Sequence, residues 1–149
     1  MSRQKRPSGP KRDSSSRKPP EVFVDRSLGR NKVPGRLREA YPDLSVIAHD
    51  DLFPQDTDDE VWLLHAGKRG WIVLTKDEKI RRKPGEQRAI SEANARCFCL
   101  HPTTGMRAEQ MSDVLVRALP RILAITESQG RRGFVKTVDR RGRIRHLYP

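Results

Sequence analysis

The sequence predicts an α/β protein, with a small parallel sheet of four or more strands and helices on both faces. Three observations lead there. Short apolar runs rich in β-branched residues alternate with amphipathic stretches four times between residues 21 and 125. The run Trp71-Ile72-Val73-Leu74-Thr75 is apolar without a polar face, as a strand buried on both sides requires. Two such runs deliver a carboxylate just past their ends, Val22-Phe23-Val24 to Asp25 and residues 71–75 to Asp77. Open parallel sheets bind ligands at the carboxyl ends of their strands. Either Asp alone could simply cap the turn that follows it.

Residues 1–20 contain Ser, Pro, Lys and Arg and no large apolar residue after Met1. They cannot bury enough surface to offset their ordering entropy, so a disordered basic tail is expected. The first strand is expected at 21–25, followed by a turn at Arg26-Ser27-Leu28-Gly29. A helix over 32–41 would put Val33, Leu37, Ala40 and Tyr41 on one face, with Pro34 tolerated in its first turn. Tyr41-Pro42-Asp43 ends it. The second strand, 44–49, leads to Asp50 and Asp51.

After a loop, Thr57-Asp58-Asp59-Glu60 matches a capping box in which Thr57 caps and Glu60 reaches back. That helix runs to Lys68 and stops at Gly70. The third strand, 71–75, precedes a basic loop from Lys79 to Lys83. Pro84 opens a third helix that runs to Ala95, and 96–100 form the fourth strand. The last helix, 107–125, presents Met111, Val114, Leu115, Ala118, Ile122 and Ile125 at helical spacing, and Pro120 should kink or break it. The expected domain is therefore 21–129. Residues 130–149 read either as a short basic hairpin or as a second disordered tail.

The net charge of +12 is concentrated in the two ends. Residues 1–20 and 130–149 each hold seven Lys or Arg against one Asp, while the 109 residues between them are balanced. Basic ends on a neutral core suit a polyanion, most directly nucleic acid, although such ends also aid solubility. Cys97 and Cys99 share one face of a strand and lack the further ligands of a zinc site. No apolar run reaches the roughly 20 residues needed to span a bilayer, and the basic N-terminus has no hydrophobic region behind it. A soluble cytoplasmic protein with no membrane partner is expected.

The carboxylates near the expected strand ends and helix start are Asp25, Asp50, Asp51, Asp58, Asp59, Glu60 and Asp77. Packed together they repel one another unless a cation lies between them. Hard oxygen ligands suit Mg2+ or Mn2+, which activate water and phosphodiesters. Arg26, Lys76, Lys79, Arg81, Arg82 and Lys83 flank the same positions and could meet a nucleic-acid backbone. Metal-dependent cleavage of a polyanion needs that combination.

The segments Val22-Phe23-Val24-Asp25-Arg26-Ser27-Leu28-Gly29, Thr57-Asp58-Asp59-Glu60-Val61-Trp62 and residues 71–77 resemble the PIN-like domain family, particularly its short branch of bacterial toxin-type ribonucleases. The resemblance covers about 22–125. It implies a three-layer α/β/α fold, cleavage of single-stranded RNA with Mg2+ or Mn2+, and a protein antitoxin as partner. By motif it assigns Asp25, Asp58 and Asp77 as catalytic metal ligands, with Asp59 as a one-residue alternative to Asp58. The chain departs from the family pattern at a fourth acidic position, where Glu78 and a basic run stand. Three carboxylates would then suffice, or Glu78, Asp50 or Asp51 would contribute.

His49 is expected to be hydrogen-bonded and partly buried, and Trp62 and Trp71 to pack in the core rather than stack on bases. Two other functions compete. A non-catalytic RNA-binding module would keep the fold without cleaving. A receiver-like phosphoacceptor would need an acidic pair after the first strand and a fifth strand followed by Lys.

Overall fold

A computed structural model describes residues 20–149 of the chain. The expected tail over 1–20 therefore lies, apart from Pro20, outside the described residues. The strands are β1 (Glu21–Val24), β2 (Ser45–Ala48), β3 (Ile72–Thr75), β4 (Arg96–Leu100), β5 (Phe134–Val138) and β6 (Ile144–Tyr148). The helices are α1 (Lys32–Ala40), α2 (His49–Leu52), α3 (Asp59–Arg69), α4 (Pro84–Glu92) and α5 (Ala108–Gln129). The strands form one sheet in the order β2-β1-β3-β4-β5-β6. The pairs from β2 to β5 are parallel, and β6 returns antiparallel on β5.

Alternation along the strands divides the core in two. Val22, Val24, Ile72, Leu74, Phe98 and Leu100 pack with Val33 and Leu37 of α1 and Val114 and Leu115 of α5. Phe23, Val73, Cys97 and Cys99 pack on the other side with Trp62 and Leu63 of α3 and Ile90 of α4. This is the expected three-layer α/β/α arrangement. Trp62 and Trp71 are both core residues, stacked on Phe23 at 5.2 and 5.5 Å. No helix among the described residues is long and apolar enough to cross a membrane.

Four local expectations change. The capping box at Thr57 does not form: Asp58 is the residue before α3 and makes no side-chain cap bond. The Thr57 carbonyl instead accepts from Arg26 at 3.0 Å, and the Glu60 side chain lies over Gly85 of α4. Asp50 and Asp51 are not free strand-end carboxylates, because they fold into α2. Asp50 pairs with His49 at 3.0 Å and Asp51 accepts from the Ala48 amide at 3.1 Å.

Pro120 does not break the last helix. It leaves the Val116 carbonyl without its helical donor, and the Tyr41 hydroxyl fills that vacancy at 2.6 Å. Finally, of the two readings of 130–149 the hairpin holds, but it belongs to the sheet rather than lying beyond the domain, with Phe134, Val135 and Val138 buried. The folded unit thus continues past residue 129 to Tyr148, because β5 completes the ladder that β4 begins. The fifth strand, the first of that hairpin, ends in Val138-Asp139-Arg140 with no Lys after it, so the receiver pattern is still unmet.

Candidate active site

The carboxyl ends of β1 and β3, and the amino ends of α3 and α4, meet on one side of the sheet. Asp25 follows β1, and its amide donates to the Leu74 carbonyl at 2.9 Å, which fixes it beside β3. It is only 3% exposed. Its Oδ2 accepts from the hydroxyls of Ser27 and Thr75, both at 2.8 Å. Its Oδ1 is buried with no hydrogen-bond partner. Burial holds its pKa above the usual carboxylate range; the two hydroxyls pull it back, and the charge of Asp59 pushes it up.

Thr75 links two of the expected ligands. Its hydroxyl oxygen also accepts from the Asp77 amide at 3.0 Å. Asp77 caps the 3-10 turn over Glu78–Arg81, its Oδ1 accepting from the Lys79 amide at 3.0 Å. Asp77 is therefore a turn cap, although that role occupies only its Oδ1.

Asp58 and Asp59 differ in surroundings. Asp58 is exposed, whereas Asp59 turns inward. Its Oδ1 accepts from the Trp62 indole at 3.0 Å and from Arg26 at 3.4 Å. The charge of Asp59, not that of Asp58, acts on Asp25. The structure thus brings the alternative helix acid to Asp25, one residue on from Asp58.

Glu86, in the first turn of α4, was missed by sequence reasoning. It is 5% exposed, and its pKa is pushed up to about 7 by burial and by Asp59, against the pull of Lys83, with Asp77 and Glu60 adding to the rise. A cleft of about 310 Å³ is lined by Arg26, Asp58, Asp59, Glu60, Lys83, Gly85 and Glu86. The only hint in the sequence was the short Pro84-Gly85-Glu86 helix opening.

The other candidates are engaged elsewhere. Glu78 pairs with Arg81 and Arg82 at 3.5 and 3.6 Å. Asp50 and Asp51 pair with Arg30 and Arg38 at 3.8 and 3.3 Å. Arg26 clamps the loop before α3 through the carbonyls of Gln55 and Thr57. Lys79 and Arg82 are exposed and Lys76 is half-buried.

The donors fit a hard divalent ion in kind, and the unpartnered Oδ1 of Asp25 is an oxygen such an ion would satisfy. Among the described residues, no three of His, Cys, Asp and Glu stand at metal-binding distance of one another.

A family described as a PIN-like domain matches residues 20–102, which span both Asp25 and Asp77. This chain belongs to the PIN-like domain family. The match to the PIN-like domain ends after β4, so α5 and the β5–β6 hairpin lie beyond it. This PIN-like chain is also 34% identical over 119 residues to the Mycobacterium tuberculosis (strain ATCC 25618 / H37Rv) protein named "Putative ribonuclease VapC45", covering 78% of this chain and 84% of that relative. No solved structure matches it.

Proposed function

We propose that this PIN-like protein is a metal-dependent endoribonuclease that cuts single-stranded RNA and acts as the toxin of a toxin–antitoxin pair in the cytoplasm. The observation that carries the reading is Asp25, a buried carboxylate with one oxygen oriented by two hydroxyls and the other left unpartnered. A relative named as a ribonuclease, similar over most of both chains, supports it.

Asp25, Asp59 and Asp77 would hold Mg2+ or Mn2+. When bound, such an ion supplies Lewis-acid activation of a phosphodiester and of water. Ser27 and Thr75 fix the Asp25 carboxylate, and the Trp62 indole fixes that of Asp59. Lys76, Lys79, Arg81 and Arg82 would meet the RNA backbone beside the cleft. The β5–β6 turn, with Arg140, Arg141 and Arg143, lies at the same edge of the sheet because β5 runs parallel to β4. A protein antitoxin would be the partner that restrains the activity.

The rival reading, an RNA-binding module without catalysis, draws on the spacing of the carboxylates, since no three among the described residues stand at ligand distance. Cleavage of single-stranded RNA with Mn2+, and its loss with EDTA and in Asp25→Asn, decides between them. RNA binding with no metal-dependent cleavage would favour the module.

A further inference from the structure

We infer that Glu86 is a further metal-holding carboxylate of this site, supplied by α4. The inference rests on the metal-dependent reading above and adds to it a carboxylate from a different helix.

Acids in the first turn of a helix are usually left in water, where the helix dipole favours them. Glu86 is third in α4 yet 5% exposed. Its Oε1 is buried without a hydrogen-bond partner, as is Oδ1 of Asp25. Its Oε2 has only Lys83, at 3.9 Å, on a side chain that is 67% exposed. So loose a pair does not compensate a buried carboxylate. Asp59, Asp77 and Glu60 stand close enough for their charges to act on Glu86, and Asp25 and Glu86 both act on Cys97 beneath them. Gly85 keeps the cleft compact: a Cβ there would lie 2.2 Å from Glu60 Oε1. A buried, orphaned carboxylate oxygen in a cleft lined also by Asp58, Asp59 and Glu60 matches the need of a hard cation for oxygen ligands. Glu78, which stands near the family's fourth position, is tied to Arg81 and Arg82 instead.

The test is calorimetric titration of the full chain with MnCl2, with thermal melting in parallel, for wild type, Glu86→Gln and the exposed control Glu92→Gln. Glu86→Gln should weaken Mn2+ binding by about tenfold or more while melting at or above the wild-type temperature without metal. Glu92→Gln should bind as wild type. Equal Mn2+ affinity in Glu86→Gln and wild type overturns the assignment and leaves the nuclease reading standing. A wild type that binds neither Mn2+ nor Mg2+ overturns the metal reading, and Glu86 with it. Should Glu86→Gln fail to fold, Glu86→Asp keeps the charge but shortens the reach by one methylene. It too should bind Mn2+ more weakly, and wild-type affinity there would equally overturn the assignment.

Discussion

The Thr75 hydroxyl donates to Asp25 Oδ2 at 2.8 Å, joining the ends of β3 and β1 across 50 residues of sequence. The bond is buried, and the same oxygen accepts from the Asp77 amide. One hydroxyl thus orients one acidic residue and anchors the backbone of another. Thr75→Val keeps the shape but strips both bonds. It should lower stability by about 1–3 kcal/mol and reduce RNA cleavage, whereas Thr75→Ser should restore much of both. Denaturant melts and a cleavage assay check this; a Val variant as active as wild type would deny Thr75 its positioning role.

Glu86 gives a pH dependence with a definite sign. Its pKa is about 7 in the folded chain against 4.5 for an ordinary glutamate. Between those values the folded state holds a proton that the unfolded state has released. Metal-free stability therefore falls as pH rises through that window, by on the order of 3 kcal/mol, and is level below it. Asp25 is raised as well and acts in the same direction. Asp50 and Asp139, held low, act in the opposite sense, losing their contribution as pH falls. Melting in EDTA from pH 4.5 to 8 should show a steeper decline for wild type than for Glu86→Gln; parallel curves would contradict it.

Asp77 has a cap role and a proposed metal role, and substitution separates them. Asn can still accept from the Lys79 amide, so Asp77→Asn should melt near wild type without metal. Asp77→Ala loses the cap and should cost about 1 kcal/mol. Neither variant should keep the wild-type rise in melting temperature on adding Mn2+, and both should lose cleavage. Retention of the Mn2+ shift in both would leave Asp77 a turn cap alone.

Tyr41 supplies the donor that Pro120 removes. Tyr41→Phe leaves the Val116 carbonyl without it and should lower stability by about 1 kcal/mol or more. Adding Pro120→Ala, which restores a backbone N–H, should recover part of that loss. A double-mutant cycle measures the coupling, and additive effects would show that the two residues are independent.

The basic hairpin cannot be cut away as a tail, because Phe134, Val135 and Val138 are buried. Deleting 130–149 should unfold the protein, as circular dichroism would report. Replacing Arg140, Arg141 and Arg143 by Gln should leave the fold intact. If these side chains meet phosphates, RNA affinity should become less salt-dependent, by about 0.7 in the log–log slope for each lost contact with a single strand. An unchanged slope would place the RNA elsewhere.

Much of the fold was legible in the sequence because it rests on local pattern. The run 71–75, short, apolar and preceded by Gly70, reads as a strand covered on both faces, and the spacing of Met111, Val114, Leu115 and Ala118 reads as a helix packed along one side. Asp25 and Asp77 were legible for the same reason, since each stands directly after a strand whose end the pattern marks. The hairpin was half legible: its alternation is short, and only pairing with β4 decides whether it folds.

What the sequence by itself determined is the chain of strands and helices and the carboxylates that close two of them. Three matters were decided only by tertiary structure. Asp59 rather than Asp58 turns inward because the Trp62 indole and Arg26, from elements that meet only in the fold, bind its carboxylate. α5 continues through Pro120 because a hydroxyl 75 positions from Val116 answers its carbonyl. Glu86 becomes a site residue because packing of α4 beside α3 buries it among acids distant in sequence. Periodicity records which face of an element is apolar. Burial of a charge depends on what other elements bring to it, and that is a property of the assembled sheet.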